Sequence, residues 1–218
     1  IFRFLNKPCS TDVLALAIES AQQSRRTAMA ERTLLSETLN GSIALLTEVL
    51  EILSPVVFGQ ISQLRQLVEK ASAALPAVNS WEIRTASMLA YLGFIAIDHR
   101  LAERYFKGST LLQSEVQEIH NSTGIAARLI NRIPRLRHVA QIVRYQNELP
   151  HLMATRLDRE EDVCAANLLK CALEFTRQKT RGACERIAIR SMEERPHEFL
   201  PSSVMAISEV VGSELPMT

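Results

Sequence analysis

The chain has 218 residues, 47% of them apolar, with only 7 Gly and 8 Pro; this is enough to bury the core of one medium domain plus an appendage, and it excludes disordered and fibrous classes. A net charge of +1 argues against a strongly basic nucleic-acid binder, and no apolar run approaches the roughly 18 residues of a membrane span. Four cysteines, Cys9, Cys164, Cys171 and Cys184, form no Cys-x-x-Cys pair, so they read as free thiols of a reducing compartment, and the expected location is the cytoplasm.

The chain opens without Met inside an apolar run, Ile1 to Leu5, which reads as a short buried strand of a piece cut from something longer. Asn6-Lys7-Pro8 follows as a turn. Ser10 is placed to cap a helix whose positive end Asp12 favours. Val13, Leu14, Leu16, Ala17, Ile18 and Ala21 give that helix one apolar face. From Thr33 a second run sets Leu35, Leu39, Leu46, Leu50 and Leu53 in a helical stripe, with Asn40-Gly41 as a candidate kink and Ser54-Pro55 as its end. Ile61, Leu64, Val68 and Ala71 make the next helix, stopping near Leu75-Pro76. Asn79 with Glu82 resembles a capping arrangement for a helix from Ser80 to Leu92. Helices are expected around 112–121, 123–132 and 135–146, then a loose polar segment from Glu148 to Arg159, then helices near 161–178, 182–194 and 202–211. No alternating strand pattern follows residue 8, so the body is expected to be all-α. The pattern divides the chain into 1–26, a linker helix over 27–54, and a helical domain over 55–218.

A hydrolytic divalent metal needs several His, Asp or Glu ligands on rigid elements. The chain has five His, namely His99, His120, His138, His151 and His197, and the reading pairs none of them with an acid or a second His at i, i+4. Cys164 and Cys171 flank Leu168 on one helical face and read as small buried hydrophobes.

Two stretches carry family resemblances. Phe4-Leu5-Asn6-Lys7-Pro8, before an amphipathic helix ending in Arg25-Arg26, resembles the last strand and helix of a two-component receiver domain. The resemblance implies that Lys7 is the phosphosite-associated lysine, that the phospho-accepting Asp lies upstream, and that a cognate histidine kinase is a partner. From about residue 30 to 212 the chain resembles the HD-GYP branch of the HD phosphohydrolases, whose active members cleave cyclic di-GMP at a multi-metal centre. Gly59 to Leu64 matches the segment of a first His ligand, with Gln60 in its place. Ala86 to Phe94 matches the segment of the His-Asp pair, with Ala90 and Tyr91 there and Phe94 where Lys usually follows. Ile119 to Gly124 keeps His120. Arg144 to Glu148 matches a paired-His segment, with Gln146 and Asn147 substituted, and Leu173 falls at a late Asp. The Gly-Tyr-Pro loop is missing from Glu148 to Arg159. Gly41-Ser42 and Ile133-Pro134-Arg135-Leu136 resemble a response-regulator group with such degenerate domains.

The resemblance therefore implies an HD-like helical bundle preceded by a receiver-derived strand and a linker helix, with no catalytic residue, metal ligand set or cofactor. Gln60, Ala90, Tyr91, His120, Gln146, Asn147 and Leu173 are its relic pocket. The expected role is a non-catalytic output module of a response regulator that relays phosphorylation by dimerisation or by binding a protein not identified by the sequence. The alternative is a residual cyclic di-GMP binder or phosphodiesterase using Arg144, His120, Gln146 and Asn147. Between Ile119 and Asn147 there is no acid, whereas Arg128, Arg132, Arg135, Arg137 and Arg144 occur. These arginines are a candidate patch for an anion or acidic partner, because guanidinium binds carboxylate and phosphate bidentately. Nucleic acid is disfavoured, since no aromatic residues interleave them.

Overall fold

The computed structural model describes residues 11–53 and 55–213. The expected strand over Ile1 to Leu5, the Ser10 cap, and Lys7 with its phosphosite role lie outside the described residues. The remainder is all-helical: α1 (Thr11–Leu53), α2 (Pro55–Ser72), α3 (Ser80–Leu89), a 3-10 turn (Leu92–Ala96), α4 (His99–Phe106), α5 (Gln113–Ile130), α6 (Arg137–Tyr145), α7 (Pro150–Arg156), α8 (Glu160–Thr180), α9 (Glu185–Glu193) and α10 (Pro201–Ser213).

The chain divides into two compact units, Ile1–Ser42 and Ile43–Thr218. In the first, α1 runs without a break through the expected gap before Thr33 and through Asn40-Gly41. The hydroxyls of Thr27, Thr33 and Ser42 fold back onto carbonyls four residues earlier within it.

The second unit is a bundle built around α8. Ala165, Ala166, Leu168, Leu169, Cys171, Ala172 and Phe175 of that helix are buried, and α2, α3, α6, α7, α9 and α10 all pack on it. Three acids open α8 and Arg177 and Lys179 close it, matching charge to the helix dipole at both ends. Asn79 caps α3 by accepting from the Trp81 and Glu82 amides at 3.1 and 3.3 Å, which exposed apolar Trp81 could not do for itself. α3 ends at Leu89 and a 3-10 turn follows, so the continuous helix expected to Leu92 stops three residues early.

The expected break near Ser122 does not occur. Ser122 and Thr123 hydroxyls bond the carbonyls of Ile119 and His120 within the helix, so α5 is one element. The small residues there serve packing instead. A Cβ on Gly93 would lie 2.0 Å from the Ser122 carbonyl oxygen, so only glycine lets the 3-10 turn approach α5 this closely. α4 has its own signals: Asp98 caps it by accepting from the Arg100 amide at 2.9 Å. Gly108, at φ +73°, closes it with Gly108 N–H to Tyr105 O and Ser109 N–H to Arg104 O. The segment expected to be loose after Glu148 contains α7, started by Pro150 at its first position.

Candidate functional site

The relic-pocket positions separate into a sealed corner and an open cleft. In the corner, Ala90 and Tyr91 link the end of α3 to the 3-10 turn, and Tyr91 is only 5% exposed. Its ring meets Phe94 and Phe106 edge-on at 5.5 and 5.2 Å between centroids, and Phe94 and Phe106 in turn pack on Tyr105. Burial, then the neighbouring Tyr105, pushes the Tyr91 hydroxyl well above its ordinary pKa, so it stays a neutral phenol. Gln146 is buried on α6's C-terminal turn and donates from Nε2 to the Ala90 carbonyl at 3.0 Å, while its Oε1 has no partner among the described residues. The chain thus joins two of the substituted positions by a hydrogen bond.

Gln60 lies elsewhere, on α2, accepting from the Thr180 hydroxyl at 3.2 Å. His120 is half-buried on α5 with Nε2 3.6 Å from the Glu148 carboxylate. Asn147 and Leu173 line a cavity of about 220 Å³ together with Lys170, Arg177 and Arg195. An amide, a methyl, a phenol and an aliphatic side chain at these positions do not fit a divalent cation, which takes carboxylate, imidazole or thiolate ligands. Among the described residues, no group of three or more His, Cys, Asp or Glu could hold a metal ion.

The cleft is ionised. Glu174 stands among Arg177, Gln178 and Arg195, with Gln178 at 2.9 Å and Arg195 at 3.1 Å. Burial pushes Glu174 up, but Arg177 and the hydrogen bonds outweigh it, and its carboxyl is held below the usual range. Burial pulls Arg177 down and Glu174 lifts it, leaving it above its ordinary value. Arg195 also reaches Glu198 at 3.4 Å and stacks over Phe199 at 4.9 Å. Lys170 donates to the Glu148 carbonyl at 2.9 Å, and burial holds its amine below the ordinary lysine value, with Glu198 acting the other way. Buried Cys171, behind it, is pushed up to about 12 and is inert as a thiolate.

Histidine pairings differ from the sequence expectation. His99 faces Glu103, four residues on, at 3.5 Å; that spacing was present in the sequence. His138 Nδ1 lies 2.8 Å from Asp162, a carboxylate 1% exposed at the start of α8. Arg159 stands 3.8 Å from the other Asp162 oxygen and 3.4 Å from Glu82, tying α8 to α3 and α6. Arg128, Arg132, Arg135, Arg137 and Arg144 are all exposed. Arg137 faces Asp158 at 3.8 Å, Arg144 lies over Tyr145 at 5.7 Å, and Arg135 adopts φ 70° between α5 and α6.

The cleft residues Lys170, Glu174, Arg177, Arg195 and Glu198 did not emerge from the sequence. Their signal is the run Lys170, Glu174, Arg177 at helical spacing on a helix otherwise buried on most sides. No curated protein and no solved structure matches the chain. Residues 44–183, close to two thirds of the sequence, match the HD domain family. With the α8-centred helical bundle spanning that same stretch, the chain belongs to the HD domain family.

Proposed function

We propose that this HD domain is a non-catalytic output module of a two-component response regulator, passing the state of a receiver domain through α1 to a second copy or to a protein partner. The observation that carries the non-catalytic reading is the corner at Ala90 and Tyr91. Where active HD-GYP relatives would hold a His-Asp pair, a buried phenol packs on Phe94 and Phe106, and Gln146 is spent on the Ala90 carbonyl. A phenol, a methyl and an amide at this corner offer none of the carboxylate or imidazole ligands that a hydrolytic metal needs. The rival reading, a residual cyclic di-GMP site on Arg144, His120, Gln146 and Asn147, draws no comparable support. Gln146 is buried, whereas Arg144 is exposed on Tyr145 and His120 is engaged with Glu148.

Self-association is proposed through the C-terminal part of α1. Of the stripe read from the sequence, Leu50 is buried within its own unit, Leu39 and Leu46 are half-buried, and the side chains of Leu35 and Leu53 lie outside the described ones. Leu45 and Ile52, seven residues apart on one helix face, are 61% and 74% exposed, which makes them the better interface candidates. The receiver context, its kinase, and a cytoplasmic location belong to the same proposal; among the described residues, no helix is long and apolar enough to cross a membrane.

The test is incubation of the purified chain with cyclic di-GMP and excess Mn²⁺ or Fe²⁺. No hydrolysis is expected, and turnover that is lost on Tyr91 substitution would overturn the reading. Sedimentation addresses the relay: the chain should be a dimer, and Leu45→Glu with Ile52→Glu should yield a helical monomer. A monomeric unmodified chain, or an unchanged dimer in the double variant, removes the α1 interface.

A further inference from the structure

Three cations and two carboxylates meet in the cleft beside α8. Arg177 and Arg195 share Glu174, and Arg195 also holds Glu198. Lys170 is the unmatched charge. Its ammonium is half-buried, donates only to the Glu148 carbonyl at 2.9 Å, and sits 5.2 Å from the Phe199 ring centroid, and no carboxylate of a described residue stands at ion-pair distance from it. Glu198 acts on it only at a distance, so this part-buried cation lacks a direct ion-pair partner among the described residues, and two of its three donors make no hydrogen bond to them.

Around it the cleft presents further donors. The Tyr105 hydroxyl and the exposed Asn147 amide line the same cavity, and neither makes a hydrogen bond to another described residue. Arg177 uses one nitrogen on Glu174 and leaves the rest of its guanidinium fork unengaged. Leu149, Leu173 and Phe199 supply the apolar part of the same lining, Phe199 with its ring beside the Lys170 ammonium.

We infer that this cleft is a metal-independent binding site for a small organic carboxylate, its single negative charge meeting Lys170 with Tyr105 and Asn147, and its apolar part lying against Leu149, Leu173 and Phe199. The net charge of the lining, one positive, calls for a monoanion and disfavours a phosphate dianion. The volume, about 220 Å³, lies below the roughly 300–1,000 Å³ of sites for drug-sized ligands, so a cyclic dinucleotide is too large for it. The site stands apart from the relay proposed above, and an inactive or an active HD domain could equally carry it.

The experiment is calorimetric titration of the full chain with benzoate, its neutral isostere benzamide, and inorganic phosphate as probes. Benzoate should bind saturably at one per chain, with benzamide and phosphate at least about tenfold weaker. Lys170→Gln should lose about tenfold or more in benzoate affinity. Asn147→Asp, an exposed change that leaves the fold intact by circular dichroism, should weaken benzoate by a similar factor, since it places a like charge at the mouth. Benzamide binding as tightly as benzoate, phosphate binding more tightly than benzoate, an absence of saturable benzoate binding, or an Asn147→Asp chain that binds benzoate normally would each overturn the assignment.

Discussion

The corner around Tyr91 and the cleft around Lys170 sit in the same bundle and show two fates of positions that the HD-GYP resemblance gives to metal ligands. At Ala90, Tyr91 and Gln146 the space is closed with rings and one interior hydrogen bond, Gln146 to the Ala90 carbonyl at 3.0 Å. Asn147 and Leu173 instead line an open cavity whose charged lining includes Lys170, Arg177 and Arg195. The positions assigned to one pocket by the resemblance therefore lie in two different environments, one closed by packed rings and the other open and lined by charged side chains.

The sharpest way to break this contrast is to open the corner. Tyr91→Ala removes a ring in contact with Phe94 and Phe106 and should cost about 3–5 kcal/mol in urea unfolding. Tyr91→Phe should cost under about 1 kcal/mol, because the hydroxyl makes no hydrogen bond to a described residue. Equal losses for the two variants would mean that the phenol, and not the ring, closes the corner. Gly93→Ala comes next. Its Cβ meets backbone, the Ser122 carbonyl at 2.0 Å and its carbon at 2.5 Å, which cannot rotate away, so about 3 kcal/mol of destabilisation is expected. A neutral result would show that the 3-10 turn separates from α5 at little cost.

The cleft is tested by Glu174→Gln, expected to cost about 1–3 kcal/mol at neutral pH after allowance for the partial exposure of its arginines. Its pH dependence carries a definite sign. The Glu174 carboxyl is held below the usual range when folded, so its stabilisation is complete above the ordinary glutamate value of about 4.3 and is lost as pH falls through the lower folded value. In acid titrations followed by circular dichroism, the Gln variant should lose less stability than the native chain across that window. A parallel acid limb would place the titrating group elsewhere. The smallest effect belongs to Gln146→Met, which keeps the volume, removes an unpartnered oxygen and leaves the Ala90 carbonyl unpaired; a net change of about 1 kcal/mol is expected. A loss as large as that of Tyr91→Ala would make the hydrogen bond, and not the rings, the lock on the corner.

Much of the bundle is legible because its boundaries are local chemistry. Asn79 marks α3 through its own side chain, and Pro55 starts α2 as the residue pattern requires. α4 has a weak sequence signal although Asp98 caps it, since its polar residues outnumber Leu101, Ala102 and Phe106. α5 reads as two helices in the sequence because Ser, Thr and Gly in succession imitate a turn, whereas close packing of the 3-10 turn on Ser122 rewards small residues inside a helix. α1 also continues across Asn40-Gly41, although a Cβ on Gly41 would meet nothing within 4 Å, so packing does not account for it. For the site, the residue types at Ala90, Tyr91 and Leu173 are plain in the sequence, whereas their match to ligand positions is what the resemblance implies. The pairing of His138 with Asp162, and of Glu174 with Arg195, is not legible there, because each spans more than twenty residues and depends on how α6, α8 and the segment after α9 come together.

The most direct measurement of the account is elemental analysis of the chain purified after growth in Fe, Mn and Zn and dialysed without chelator. If, as proposed, Ala90 and Tyr91 occupy the positions of a His-Asp pair, and with Glu148 the one carboxylate of a described residue at ion-pair distance from His120, the expected content is far below one ion per chain. One or more Fe, Mn or Zn per chain, lost on His120→Ala, would contradict it.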